Sequence, residues 1–149
     1  MKREILFRGK KSNGCWVYGS LVVSEHIKPA IYYEVGKGLV KQLDWCYVNS
    51  DTVGQYTGLK DKNGVKIFEG DILKTPRGFI GQVVFGRAEE ECRHKVFGRM
   101  VIDCYTTYGW IFVRGDGYRC AIDDELLEGE IIGNIHDNPE LMKGGSNET

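Results

Sequence analysis

The amino-acid sequence predicts a mostly β protein. Short stretches rich in Val, Ile, Tyr, Phe and Trp recur along the whole chain, and such stretches are typical of strands. Gly, Asn and Asp separate them, and the count of 20 glycines against 3 prolines favours many tight turns. Helical periodicity is weak over most of the chain. These three observations together favour sheets joined by hairpins.

The first predicted strands are the stretches EILFRGK and CWVYGSLVV. Asn13-Gly14 lies between them and supplies the positive-φ positions that a tight hairpin turn needs. Two less regular strand candidates follow, IKPAIYY and LVKQLDWCYV, around Gly36 and Gly38.

The glycine-rich stretch from Gly54 to Leu73 admits two interpretations, a phosphate-binding loop or a hairpin. A phosphate loop of the Walker type needs G-x-x-x-x-G-K-[ST] before a sizeable helix. The spacing of Gly58 and Gly64 does not provide it, and the residues that follow have a strand pattern. The sequence therefore predicts a hairpin that turns at Asn63-Gly64, between VGQYTGL and VKIF.

Further strands are predicted on both sides of PRG, in the stretches DILKT and FIGQVVF, and then in RMVIDCYTT, GWIFV and YRCAI. Asp116-Gly117 joins the last two as another favoured turn pair. The charged insertion Gly86–Lys95 is expected to form an exposed loop or a short helix. Asp123–Gly129 is expected to form one or two helical turns, since acidic residues begin it and a glycine ends it.

Length and composition predict a single domain at residues 1–143 and a disordered tail at residues 144–149. The formal net charge of −1 disfavours nucleic-acid binding, because such proteins need a basic face. Five scattered cysteines without a C-x-x-C pair indicate a reduced compartment. No signal-peptide pattern and no apolar run of membrane-spanning length are present, so the expected location is the cytoplasm, without membrane contact.

Candidate chemistry in the sequence is sparse. Cys92-x-His94 is the closest pair of metal-ligand types, and His26 and His136 stand apart from it. A zinc site usually has four ligands, and the sequence shows no second pair at zinc spacing, so no metal ligand is assigned. No cofactor-binding or catalytic residue is assigned either. A cysteine nucleophile with a distant histidine stays open as an alternative, since such partners meet in space.

The 17 aromatic residues (8 Tyr, 3 Trp and 6 Phe) have two interpretations. Their alternation within strands favours packing in a core or against a partner subunit over stacking with nucleic-acid bases. A candidate functional patch combines residues of two motif stretches: Gln55, Tyr56, Asp71, Asn134 and His136. The alternative for its amide side chains is that they satisfy buried backbone groups.

Three separated blocks of the sequence resemble the YopX family. They are REILFRGK…NGCWVYGSL (Arg3–Leu21), DTVGQYTGLKDKNGVKIFEGDIL (Asp51–Leu73) and IIGNIHDNPELM (Ile131–Met142), in the family's order. The intervening stretches, including GRAEEECRHKVFG and CYTTYGW, match no family pattern.

The resemblance implies a mostly β fold in which a mixed sheet folds on itself into a barrel-like body with short peripheral helices. It also implies a protein encoded by bacteriophages or prophages and made in the bacterial cytoplasm, and it carries no enzymatic activity, catalytic residue or cofactor. We therefore expect a non-catalytic accessory protein that acts through contacts with host or phage proteins, as a homo-oligomer. The alternative is a nucleic-acid-binding protein of phage DNA metabolism, with local cations such as Lys60, Lys62 and Lys66, or Arg87, Arg93 and Lys95.

Overall fold

The computed structural model describes residues 2–144, which form two compact units. The first unit contains residues 2–59 and 66–68, and the second contains residues 60–65 and 69–144. The single domain predicted for residues 1–143 stays a prediction. The predicted tail, residues 144–149, lies outside the described residues apart from Gly144, which ends the last helix.

The first unit is built on a six-stranded sheet. Its strand order is β4-β3-β2-β1-β5-β6, and a 3-10 helix at Ser50–Thr52 precedes β5. The strands are β1 (Phe7–Lys10), β2 (Trp16–Val22), β3 (Ala30–Lys37), β4 (Val40–Tyr47), β5 (Gly54–Lys60) and β6 (Lys66–Phe68).

Apolar side chains of neighbouring strands form the core of the first unit. Ile31 and Ile67 are fully buried, as expected for β-branched residues on the covered face of a sheet. Arg8 is also buried, and its guanidinium carbon lies 4.6 Å from the ring centroid of Trp16 and 4.9 Å from that of Phe68. The aromatic rings thus compensate part of the cost of burying this cation.

The second unit is built on a five-stranded antiparallel sheet of order β10-β9-β8-β7-β11. Its core contains Ile72, Leu73, Val83, Ile111 and Phe112, all nearly or fully buried. The elements are β7 (Asp71–Lys74), β8 (Ile80–Val96), β9 (Arg99–Arg114), β10 (Arg119–Ala121), β11 (Glu130–Asn134) and the short helices α1 (Asp124–Leu127) and α2 (Glu140–Gly144).

The predicted hairpin turns are confirmed. Gly14, Gly64 and Gly117 have φ values of 85°, 77° and 91°, in the left-handed region that glycine enters at little cost. In the middle turn, Asp61 N–H donates to the carbonyl of Val65 at 2.9 Å. The glycine-rich stretch is therefore a hairpin between β5 and β6, as its spacing predicts.

The mostly β prediction is confirmed, with few helices, but the two sheets are antiparallel where a mixed sheet was predicted. Neither sheet closes into a ring of strands within residues 2–144, so the barrel-like body stays a prediction. The prediction of a loop or helix at Gly86–Lys95 is wrong, because these residues lie inside the continuous strand β8. Among the described residues, no helix has the length and apolar character needed to cross a membrane.

Candidate functional site

The most exposed part of the second unit is the distal half of the β8–β9 hairpin, residues 87–108, which we call the arm. Its strands pair without a register shift from Arg87↔Tyr108 to Val96↔Arg99, over about 30 Å at the usual rise per residue. Beyond Glu90 every β8 residue of the arm is exposed. A two-stranded ribbon exposed on both faces is only marginally stable in water.

Directly opposite residues of an antiparallel pair project to the same face, and one face of the arm combines charged and apolar side chains. The β9 side carries Met100, Ile102 and Tyr108, which are 59%, 51% and 75% exposed. The β8 side of this face carries charged residues only: Arg87, Glu89, Glu91, Arg93 and Lys95. Exposed apolar residues beside a charged border are typical of interaction surfaces.

The charges of this face form ion pairs along β8. Arg87 forms an ion pair with Glu89, and Arg93 forms one with Glu91, with 3.5 Å between Nη2 and Oε2. The Tyr108 hydroxyl and the Glu89 carboxylate raise the pKa of Arg87. The three predicted local cations Arg87, Arg93 and Lys95 do share one face, but the glutamates between them neutralise much of its charge.

The arm ends in a two-residue turn, Phe97-Gly98. Both residues have positive φ, 50° and 78°, as a type I′ turn requires. Phe97 is an unusual choice there, since Asn or Asp enters the left-handed region more readily. Its side chain is fully exposed at the tip.

A second candidate site is a pocket of about 310 Å³ at the base of the sheet in the second unit. Glu90, Arg114, Cys120 and Asp123 contribute to its wall. Burial, followed by the carboxylates of Glu90 and Asp123, raises the pKa of the Cys120 thiol to about 11. Cys120 is therefore protonated at neutral pH, which is the wrong state for a nucleophile.

The Cys92-x-His94 pair lies on the other face of the arm. Cys92 is directly opposite Asp103, and Nε2 of His94 is 3.4 Å from Oδ2 of Asp103. Within residues 2–144 no group of three or more His, Cys, Asp or Glu side chains is arranged to hold a metal ion.

The predicted patch is divided between the two units. Gln55 and Tyr56 lie on β5 of the first unit, where Tyr56 is buried and its ring centroid is 5.6 Å from that of Phe68. In the second unit, Asp71 of β7 is directly opposite Asn134 of β11. His136 follows this strand, and its Nε2 would be 3.5 Å from a Cβ placed on Gly70.

The hydrogen bonds of Asn134 favour the alternative interpretation of this amide. Its Oδ1 accepts from the backbone N–H groups of His136 at 3.0 Å and Asp137 at 2.9 Å. Its Nδ2 donates to Oδ2 of Asp137 at 3.0 Å. Asn134 thus organises the turn after β11, and the function of the patch stays a prediction.

Sequence reasoning predicted the β9 half of the arm, as the strand RMVIDCYTT, but missed the β8 half, which lacks hydrophobic alternation. Both faces meet solvent, so no periodic apolar signal marks Gly86–Lys95 as a strand. One signal was available: the order of charges in EEECRHK, three acidic residues, a cysteine and three basic residues. When two copies of this segment lie side by side and antiparallel, the acidic half of each copy faces the basic half of the other.

The chain is similar to a solved structure, the crystal structure of protein EF1440 from Enterococcus faecalis, with 23% identity and a TM-score of 0.49; the alignment covers 93% of this chain and 98% of that chain. A search of curated proteins gives no match. The sequence profile described as YopX protein matches residues 6–143. Since this match spans nearly the whole chain, the protein belongs to the YopX family.

Proposed function

We propose that this protein is a non-catalytic accessory protein of phage or prophage origin that acts through protein–protein contacts, as a homo-oligomer, in the cytoplasm of the bacterial host. The phage setting rests on the family resemblance. The observation that carries the contact function is the arm, whose apolar side chains Met100, Ile102 and Tyr108 are all more than half exposed.

The energetics of the arm support a role in contacts. An isolated two-stranded ribbon contributes little to the stability of a fold, while its unpaired edges and exposed apolar groups favour association. A second copy of the chain, or a host or phage protein, would cover these groups. This accounts for a long exposed hairpin that the core of the second unit does not require.

The non-catalytic part of the proposal is supported by the state of the pocket thiol. A cysteine nucleophile needs a thiolate, which a positive or hydrogen-bonding environment stabilises. Glu90 and Asp123 have the opposite effect on Cys120, whose pKa is about 11.

Light scattering coupled to size-exclusion chromatography tests the oligomer directly. The full chain should elute with a mass above that of one 16.9 kDa chain, and the mass should fall on dilution or at high salt. A clean monomer at every concentration up to the millimolar range would contradict the proposal of a homo-oligomer.

Nucleic-acid binding remains a second candidate because one aromatic cluster is accessible in the first unit. Trp45 and Tyr47 on the edge strand β4 are 45% and 48% exposed, and the ring of Trp45 stacks on Tyr32 with centroids 6.0 Å apart. Exposed rings of this kind stack with bases. A gel-shift assay at low salt with single- and double-stranded DNA and RNA tests it, and no shift would exclude this candidate.

A further inference from the structure

The arm has a free strand edge with a charge order that is complementary to itself. Residues Glu89, Glu90 and Glu91 precede Cys92, and Arg93, His94 and Lys95 follow it. All of them lie on β8. A second copy that runs in the opposite direction therefore places its basic residues opposite the acidic residues of the first copy, on either side of Cys92.

The backbone groups of this segment are positioned to accept another strand. Thr75 N–H donates to the carbonyl of Phe79, and Gly70 N–H donates to the carbonyl of Val83, both at 2.8 Å. Odd-numbered residues of β8 therefore direct their N–H and C=O groups away from β9, because these directions alternate along a strand. The pairing with β9 has no register shift, so the odd-numbered residues direct these groups away from β9 along the whole of β8.

The free edge begins at Glu89. β7, the neighbour of β8 on this side, reaches only as far as Asp71, which lies opposite Val83 in register, six residues before Glu89. The outward carbonyl of Arg87 accepts from Nε of Arg119 at 3.0 Å. Within residues 2–144, no strand pairs beyond that point with the edge of β8 that faces away from β9.

We propose that two copies of this chain associate by antiparallel pairing of their β8 edges, with the two-fold axis at Cys92. This inference rests on the proposed homo-oligomer and names its interface. The arms then form a continuous four-stranded sheet, and residues 88–96 of each copy pair with the same residues of the other. A two-fold axis makes every contact occur twice.

The positions of the charges favour the register with the axis at Cys92. Glu91 lies opposite the partner's Arg93, and Glu89 lies opposite the partner's Lys95. With its own ion pair to Arg93 at 3.5 Å, each Glu91 joins a ring of four alternating charges. Opposite charges at facing positions stabilise a pair of strands, and like charges destabilise it.

Other pairings are less favourable on the same grounds. An axis at Glu91 would oppose the two copies of that residue, and an in-register parallel pairing would oppose every residue to itself. Glu90 is not needed for the pairing, since its Oε2 already accepts from Ala121 N–H at 3.2 Å. In the proposed register Glu90 lies opposite the partner's His94, and each His94 already lies beside Asp103 of its own chain.

The proposed axis gives Cys92 a measurable role. The odd-numbered residues on either side of Cys92 make the backbone hydrogen bonds to the partner strand. Cys92 therefore faces the partner's Cys92 as a non-hydrogen-bonded pair, with Cα atoms about 4.5 Å apart. That separation is within the range of disulfides. Diamide would take two protons and two electrons from the two thiols, joining the sulfurs and becoming the reduced hydrazine.

Charge exchange at Glu91 and Arg93 tests the interface by light scattering over a dilution series. Glu91→Lys and Arg93→Glu each place like charges opposite one another twice per dimer, so each should weaken dimerisation about tenfold. The double variant E91K/R93E restores opposite charges and should recover the affinity of the parent chain. Glu128→Lys makes the same charge change at an exposed position outside the arm and should leave dimerisation unchanged.

Cross-linking gives an independent readout. In a chain with Cys15→Ser and Cys104→Ser, which remove the other exposed thiols, diamide should produce a disulfide dimer, and further Cys92→Ser should abolish it. If oligomers persist with equal affinity in all charge variants and Cys92 does not cross-link, this interface is wrong while the homo-oligomer stands. If the parent chain is monomeric throughout, both proposals fail.

Discussion

At the scale of single residues, Asp61 connects the turn at residues 60–65 to strand β11 within the second unit. Its Oδ1 accepts from the backbone N–H groups of Asn63 and Val65, both at 2.9 Å, and its Oδ2 accepts from Ile131 N–H at 3.1 Å. The side chain is 7% exposed. A stretch that resembles a phosphate loop in composition thus uses its carboxylate to satisfy its own backbone.

We expect Asp61→Asn to lower the free energy of unfolding by about 1–3 kcal/mol, the range for a buried donor that loses its acceptor. An Asn amide can replace only one of the two oxygens, so either the turn or Ile131 loses its partner. Urea unfolding followed by circular dichroism measures the change. Asp51→Asn, at an exposed aspartate, is the control and should leave stability within experimental error.

The same carboxylate makes stability depend on pH. Burial alone would raise the pKa of Asp61, but the hydrogen bonds from Ile131, Val65 and Asn63 outweigh it and lower the pKa below 3.8. Because the folded pKa is depressed, this stabilisation is fully present above the unfolded-state pKa of about 3.9. It is lost as the pH falls through the folded pKa. Asp61→Asn should therefore flatten the acid limb of the stability profile, and an unchanged limb would contradict this account.

Cys120 illustrates how an environment suppresses reactivity. With a pKa of about 11, its thiol should react with iodoacetamide at pH 7.5 more slowly than the exposed Cys15, Cys92 and Cys104. Peptide mass spectrometry after timed quenching measures each rate. Labelling of Cys120 as fast as the exposed cysteines would show that the pocket activates this thiol and would reopen a catalytic role.

At the scale of elements, the turns and the β9 strand of the arm were predictable, and the β8 strand of the arm was not. Asn13-Gly14, Asn63-Gly64 and Asp116-Gly117 specify turns by backbone preference alone, which is a local property. Gly86–Lys95 was expected to be a loop or helix, yet it is a strand held by pairing with β9. The stabilisation comes from pairing partners that lie 5 to 23 positions away, so the pattern within the stretch itself does not encode it.

The turn at the tip of the arm gives a prediction for this element. Phe97→Asn should slow amide hydrogen exchange in the arm by about threefold, because Asn adopts positive φ more readily and no buried contact is lost. Gly98→Val should accelerate the exchange, since Gly98 has a φ of 78°. Faster exchange in Phe97→Asn would mean that the exposed ring stabilises the arm through a contact with another molecule.

At the scale of the whole molecule, the net charge is only −1, although acidic and basic residues are grouped locally within the arm. The basic residues of the arm lie beside glutamates that form ion pairs with them, so they provide little of the counterion release on which nucleic-acid affinity depends. Their order instead favours association between copies. Composition therefore supported the correct mostly β class, while the candidate interface depends on the order and strand parity of seven consecutive residues, 89–95.

The predicted patch shows the limit of motif-based inference for this chain. Gln55, Tyr56, Asp71, Asn134 and His136 were combined because they lie in two of the motif stretches. Tyr56 is a core residue, and Asn134 binds the backbone of its own turn. Short polar motifs beside glycines serve folding as readily as function, and sequence alone does not separate the two.

The central claim is that the arm mediates association, and one comparison of masses tests it most directly. Replacing residues 91–104 with Asn-Gly keeps Glu90↔Tyr105 as the closing pair of the hairpin and removes no core residue. By light scattering at matched concentrations, the full chain should be an oligomer and the shortened chain a folded monomer with unchanged melting temperature. Equal subunit numbers for the two chains would contradict the account.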